Sequence, residues 1–521
     1  MANLVDQMSA AESAKDVYKL EQKMLKEMKE NITDQCLQCV KCTAGCPAMK
    51  LLELHPHEVM ALFNLGFTEE LLKSEVIWTC LTCFKCKERC PQKVAPVDVI
   101  LLLRSIAVAR GIPPPAGFAS VLQALMDRGI IQEPVEVMLK SVKTGKKKFS
   151  DRSGCSLPAA SRPKDLDKFK EAFTNALVQA MSEEGAYSED TRDAPGFSPG
   201  RVRLGSVGAP DFSPGGSCEA HVARGRRMKY ALYLGCAITT EAYSYEMSAR
   251  ETLTKLGVEF VDLEGYSCCG VTIRSINPFA FLYLSARNIA IAETSGLDIM
   301  TFCTGCRMTI LEAKHVLDHN DKMRERVNAV LASEGLEYKG TSQVKHILEL
   351  LHDVIGLEKI KASLVRTFKG LKVVPHYGCH AIRPSGIGPQ DDPEDPQKLD
   401  DLIRVLGAEA PYYPQKLDCC GAPLLLKNDN AAFTMSGQKV KAIQDYGFNA
   451  IVTICPSCQK MLDTQDICGR TIGATLNVPT MYYTQLLGLA MGIEPDKLGL
   501  GMNISPVRQI IDWGAPAAAP A

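Results

Sequence analysis

Through the N-terminal part of the chain, apolar residues recur every three or four positions, the spacing of one helix face. Residues 6–30 predict an amphipathic helix with Val17, Leu20, Met24 and Met28 along one side. His57–Phe63 and Glu69–Trp78 predict two more. Val97–Arg110 is apolar nearly all round, which predicts a buried helix stopped by Gly111 and by Pro113, Pro114 and Pro115. Helices are expected to continue over 117–140, and 164–182 carries a further stripe of Leu166, Phe169, Phe173, Leu177 and Met181.

From residue 229 the period changes. Tyr230–Leu234, Ile299–Phe302, Val373–Tyr377 and Ile451–Ile454 are short apolar runs of strand length, each followed by a helical pattern. Further short strands are expected before Cys268 and before Cys419. Such alternation predicts a parallel sheet with helices packed on it, and it occurs twice. Between the two regimes, Ser182–Arg227 is dominated by Gly, Pro, Ser and charged residues and reads as a disordered linker. The expected layout is an N-terminal helix (1–30), an all-α region (31–140), a helix plus linker (141–228), two α/β repeats (229–365 and 366–505) and a flexible tail (506–521).

Composition narrows the chemistry. A net charge of −1 offers no bulk field for nucleic acid or anionic lipid. The opening MANLVDQMSA has no basic stretch leading into an apolar run, and no apolar segment reaches bilayer length. The chain is therefore expected to be cytoplasmic, peripheral to the inner membrane only through a partner. Thr144-Gly145-Lys146 lacks the upstream Gly of a phosphate loop. The 21 cysteines are grouped in Cys-x-x-Cys units in a long chain, which favours metal binding over disulfides.

Eight of those cysteines form two runs. Cys36, Cys39, Cys42 and Cys46-Pro47 are followed, after 33 further residues, by Cys80, Cys83, Cys86 and Cys90-Pro91. This is the C-x2-C-x2-C-x3-C-P spacing of dicluster ferredoxins, in which the last Cys of each run serves the other cluster. Cys36, Cys39, Cys42 and Cys90 are thus assigned to one cubane [4Fe-4S] cluster, and Cys80, Cys83, Cys86 and Cys46 to the other. The helices between the runs resemble an α-helical ferredoxin. Lys41, Lys85, Lys87 and Arg89 within the motifs read either as complements to cluster charge or an acidic partner, or as a solvated face.

Ten more cysteines repeat a second pattern: a single Cys, a Cys-Cys-Gly and a Cys-x-x-Cys. They are Cys236, Cys268, Cys269, Cys303 and Cys306, then Cys379, Cys419, Cys420, Cys455 and Cys458. Five thiols per copy exceed the four that a zinc site or a cubane needs, which argues against a zinc-stapled scaffold. Each group follows a predicted strand, so all should converge on the carboxyl rim of its sheet. Adjacent cysteines on a regular strand face opposite ways; Gly270 and Gly421 permit the turn that would bring both to one site. Cys155, Cys218 and Cys468 are left over and read as plain thiols.

These motifs resemble the heterodisulfide reductase family: a C-subunit-like ferredoxin fused to B-subunit-like CCG domains, the D-type arrangement. The resemblance covers roughly residues 30–110 and 229–490. It implies two noncubane [4Fe-4S] clusters, one per five-cysteine set, facing each other across a cleft where a disulfide is split. With the two cubane clusters it implies a disulfide or thiol oxidoreductase subunit of a larger anaerobic complex, acting on a small disulfide or a disulfide-bearing protein. No flavin or nicotinamide fingerprint is present, so the expected electron donor is a flavoprotein of the heterodisulfide reductase A type or a membrane cytochrome b. The alternative is an electron-transfer subunit of an anaerobic dehydrogenase, reductase or electron-bifurcating complex, with no substrate site of its own. His376 and His380, flanking Cys379, read as donors to cluster sulfur or as satisfied structural histidines. Arg383 reads as a ligand for a substrate carboxylate or phosphate, or as a surface ion pair.

Overall fold

The protein is described by a computed structural model covering residues 35–141, 145–149, 152–179, 228–388 and 390–513. The expected helix at 6–30, Cys218 and the expected linker at 182–227 lie outside the described residues.

The N-terminal region is helical, built of Pro56–Asn64, Thr68–Lys73, Val76–Thr79, Pro96–Ala109 and Ala116–Arg128. Ser74 divides the stretch expected as one helix over Glu69–Trp78; its hydroxyl accepts from the Val76 N–H at 3.1 Å, at the start of the second piece. Pro96–Ala109 buries ten of its fourteen residues, one of them Arg104. That guanidinium donates to the carbonyls of Ile77 (2.6 Å) and Cys80 (2.7 Å) and lies over the Trp78 ring. A buried cation held this way braces the entry to the second cysteine run. Past residue 128 the chain is not helical as expected: Val137–Ser141 (β1) and Gly145–Phe149 (β2) pair as an antiparallel hairpin. The five paired residues of each strand hold this stretch extended, which outweighs the weak helical spacing upstream.

Two parallel sheets follow. In the first, Met228–Tyr233 (β3), Val258–Val261 (β4), Ile299–Thr301 (β5) and Val344–His346 (β6) run in the order β4-β3-β5-β6. In the second, Val373–His376 (β7), Ala450–Thr453 (β8) and Thr480–Tyr482 (β9) run β7-β8-β9. Central residues such as Met300, Ile451 and Val452 are completely buried, as a sheet covered on both faces requires. The strand expected before Cys419 is reduced to a single bridge, Lys372 to Glu409. β6 and β9, outside the expected pattern, complete each sheet at one edge.

The two repeats pack directly on each other. Tyr245 stacks on Tyr482 at 3.9 Å between ring centroids, and its hydroxyl donates to the Ile454 carbonyl. Ser248 and Thr484 share a buried hydrogen bond of 2.6 Å. The helix Leu166–Gln179 belongs to this assembly, because Phe169 and Phe173 lie against Tyr283 and Asn277 donates to the Leu177 carbonyl. At the other end, residues expected in a flexible tail form the helix Arg508–Ile511, anchored by fully buried Ile510.

The duplication is visible in fine detail. Asn277 and Asn428 cap corresponding helices with the same backbone conformation, φ −151° and ψ 97°, and each accepts an N–H three residues on. Asn428→Ala removes only this cap, and is expected to cost about 1 kcal/mol, read as a lower denaturant midpoint at unchanged slope.

Candidate metal centres

Each cysteine run of the N-terminal region curls its backbone in the same way. Gln38 and Val40 in the first run, and Thr82 and Phe84 in the second, all have positive φ between 47° and 63°. Four non-glycine residues in a left-handed conformation, at matching places, cost strain that a local packing role does not explain. The result is a loop whose N–H groups turn toward sulfur: the amide of Thr82 approaches Cys80 Sγ at 3.5 Å and that of Val94 approaches Cys90 Sγ at 3.2 Å. Cys46 lines a cavity with Cys80, Cys83 and Cys86, whereas Cys90 lines another with Cys36, Cys39 and Cys42. The last cysteine of each run thus sits with the other run. Burial pushes the Cys46 and Cys83 thiols up to about 12, so these sulfurs are protonated at neutral pH until a metal displaces the proton.

The ten remaining cysteines come together in one array. Following thiol–thiol contacts, Cys236 meets Cys268, Cys268 meets Cys269, Cys269 meets Cys306, and Cys306 meets Cys303. The second set runs Cys379, Cys419, Cys420, Cys458, Cys455 in the same manner. The two sets join where Cys303 meets Cys455, the equivalent residue of each repeat. Both are the N-cap of the helix that carries the second cysteine of their pair. Gly270 and Gly421 turn the chain as the Cys-Cys pairs require, each at φ +89°, and return an N–H to Cys268 Sγ and Cys419 Sγ at 3.4 Å. Gly235 has a second reason to lack a side chain: a Cβ there would stand 2.7 Å from Cys306 Sγ. Eight of the ten are buried, and Cys303 and Cys379 are half-buried, so solvent reaches the array at those two positions. Free thiols gathered in this number, with backbone N–H groups aimed at sulfur, fit iron–sulfur ligation; among the described residues no disulfide competes for them.

The comparison with known proteins agrees with the geometry. The cysteine-rich domain family CCG matches residues 230–311 and 373–463, and a 4Fe-4S dicluster domain family matches 35–95. The B subunit of the ferredoxin/F(420)H(2)-dependent CoB-CoM heterodisulfide reductase of Methanosarcina acetivorans is 36% identical over 280 residues, 53% of this chain and 93% of that protein. The chain belongs to the heterodisulfide reductase B-subunit family. Its N-terminal part extends beyond that family's match and is 33% identical over 79 residues to the C subunit of a ferredoxin:CoB-CoM heterodisulfide reductase from the same organism, covering 32% of it. The 8-methylmenaquinol:fumarate reductase membrane anchor subunit of Wolinella succinogenes is 30% identical over 278 residues, 96% of its length. This chain is a heterodisulfide reductase-like iron–sulfur electron-transfer subunit.

In this member of the heterodisulfide reductase family the ferredoxin part docks on the second repeat. Lys85 pairs with Asp418 at 3.2 Å, Arg89 with Glu394 at 3.1 Å, and Ser385 donates twice to Glu88. His380 bonds the Thr82 carbonyl at 3.0 Å, and Cys83 lies close enough to Cys379 and Cys419 to feel their charge. The basic residues of the motifs are therefore largely engaged inside the chain: Lys87 pairs with Asp98, and Lys41 alone of the four is exposed. Arg383 forms an ion pair with Glu394 at 3.7 Å. It is buried, and its guanidinium is spent on the Pro393 carbonyl at 2.7 and 3.1 Å. Cys468 is buried with its thiol on the Met461 carbonyl, outside the array.

Two residues that composition and spacing did not single out approach the second five-cysteine set. Lys439 is buried and donates to the carbonyls of Gln415, Lys416 and Asp418. Burial pushes its ammonium down to about 8, against the opposing pull of Asp418 and of Cys420, Cys419 and Cys458. Thr304, in the first repeat, places its hydroxyl on Cys455 of the second. Aligning the repeats residue by residue would have exposed the first of these, since Lys439 takes the place of Asn288, each eleven positions after its capping Asn.

Proposed function

We propose that this chain is the disulfide-cleaving or thiol-oxidising subunit of a complex, with cubane clusters in the ferredoxin part and a noncubane cluster on each five-cysteine set. When bound, such clusters supply one-electron carriers, and two of them beside one S–S bond match its two-electron cleavage. The observation that carries the reading is the Cys303–Cys455 contact, which brings two complete five-thiol sites to a single point. Cleavage takes two electrons and two protons and turns one disulfide into two thiols. Half-buried Cys303 marks where a disulfide can approach that point, while the buried cysteines around it exclude water. The docking of Thr82 and Cys83 on His380 and Cys419 holds the ferredoxin part against the second repeat, the short separation that electron supply requires.

A flavoprotein of the heterodisulfide reductase A type or a membrane cytochrome b is the proposed electron donor. Among the described residues no helix is long and apolar enough to cross a membrane, so any membrane association is proposed to run through such a partner. A relay with no substrate of its own is the second reading, and the Wolinella fumarate reductase relative favours it.

Anaerobic purification is expected to yield roughly 16 iron per chain, from four four-iron centres, with matching labile sulfide. Oxidation with a candidate thiol present is expected to produce a paramagnetic signal that the thiol-free sample lacks. No such signal with any thiol tried would transfer the assignment to the relay.

A further inference from the structure

The two five-cysteine sites differ at one matched position. Tyr233 ends β3 and His376 ends β7, each two residues before a glycine and three before the lone cysteine of its repeat. Their registers agree, since Tyr233 pairs with Thr301 and His376 with Thr453, and each of those threonines stands two residues before a Cys-x-x-Cys. In the first repeat the Tyr233 hydroxyl donates to the Ser267 carbonyl at 2.8 Å and is thereby occupied. In the second, His376 is 2% exposed and neither ring nitrogen has a hydrogen-bond partner. Leaving a buried polar group unpaired is costly, so an imidazole orphaned at both nitrogens calls for a partner beyond the protein.

The surroundings indicate what that partner is. One His376 nitrogen, Cys420 Sγ and Cys458 Sγ all lie within 4.8 Å of one another. The nitrogen makes no hydrogen bond to either sulfur. The three are close enough to converge on one ion with small side-chain shifts: metal bonds of about 2.0–2.3 Å put tetrahedral donors about 3.3–3.8 Å apart. Neutral imidazole is a common ligand for iron, whose open nitrogen needs no proton removed first.

We propose that His376 is a nitrogen ligand to iron at the second five-cysteine site, which makes the two sites chemically unlike. The inference rests on the reading that this site holds an iron–sulfur cluster. The first site offers thiolates alone; the second adds a neutral imidazole, with the buried Lys439 ammonium where the first repeat has Asn288. A nearby cation raises the potential of an iron–sulfur centre, because reduction adds negative charge there. The second site, beside Cys83 of the ferredoxin part, is therefore the stronger electron acceptor of the two.

The test uses the full chain, purified anaerobically with its iron, with and without ¹⁵N-histidine. Pulsed electron paramagnetic resonance is recorded after dithionite reduction and after oxidation with thiol, so that paramagnetic states of both sites are sampled. A directly coordinated histidine nitrogen is expected in the wild type, its splitting changing with the isotope. His376→Tyr, which installs the residue of the first repeat, is expected to remove that coupling and shift one midpoint potential while iron per chain stays the same. Should His376→Tyr lose iron, His376→Gln supplies the same comparison with a smaller neutral side chain. A wild type with full iron but no histidine coupling, or a coupling that survives both substitutions, overturns the proposal alone. A chain without iron and sulfide on the repeats overturns this proposal and the cluster reading beneath it.

Discussion

Cys303→Ser and Cys455→Ser are each expected to reduce disulfide cleavage or thiol oxidation to background while leaving the ferredoxin part reducible by dithionite. The two sulfurs make a direct thiol contact between the five-cysteine sets, and each also touches the second cysteine of its own pair. Losing one removes a proposed ligand and the point where the sets join. Four thiols then remain in that set, enough for an ordinary cubane, so iron is expected to fall by about 4 per chain at most. Cys36, Cys39, Cys42 and Cys90 line a separate cavity, which is why their reducibility is expected to persist. Cys468→Ser is the control: its thiol reaches the Met461 carbonyl, at 3.6 Å, and Ser436, both outside the array, and its loss is expected to leave iron and turnover unchanged. The assay is turnover with a chemical reductant, together with iron per chain. Turnover retained in both junction variants would refute the role assigned to this contact.

Arg274→Met is expected to destabilise the iron-loaded chain by about 3 kcal/mol, the lower end of the range for breaking a buried ion pair. Arg274 follows the first Cys-Cys-Gly turn and is 5% exposed. Its guanidinium pairs with equally buried Glu312 and lies 5.0 Å over the ring of Phe84, which belongs to the second ferredoxin run. Methionine restores volume but leaves the Glu312 carboxylate without its main partner. Lys87 is near enough to offset part of that loss, which places the expected cost at the lower end. The double variant Arg274→Met with Glu312→Leu is expected to recover most of the stability, because it leaves no unpaired charge. Thermal unfolding checks both, with an apparent midpoint lower by several degrees in the single variant. Equal destabilisation of the single and double variants would show that the contact with Phe84, rather than the ion pair, is what Arg274 contributes.

Much of the architecture was legible from local pattern. A parallel sheet followed from apolar runs alternating with helical stretches, and the ferredoxin region followed from a cysteine spacing that few other structures use. The departures share a cause. The hairpin β1–β2 and the packed helix Arg508–Ile511 depend on what the segment lies against, and a short stretch carries little propensity of its own. Of the two readings of Arg383, the fold supplies the ion pair, with Glu394 at 3.7 Å. A guanidinium near a cysteine motif looks available from its neighbours in sequence, whereas here the Pro393 carbonyl occupies it.

By itself the sequence determined which cysteines belong together within each motif, that the pattern is duplicated, and that each group follows a strand. Those are properties of neighbours along the chain, set by strand and helix periods and by the turns glycine allows. Only the tertiary structure decided that Cys303 meets Cys455, and that His376 is buried with both nitrogens unpaired while Tyr233 is satisfied. Each of these is a distance between residues far apart in the chain. It is set by how two sheets and a helical region bury their apolar faces against one another, and no local spacing carries that information.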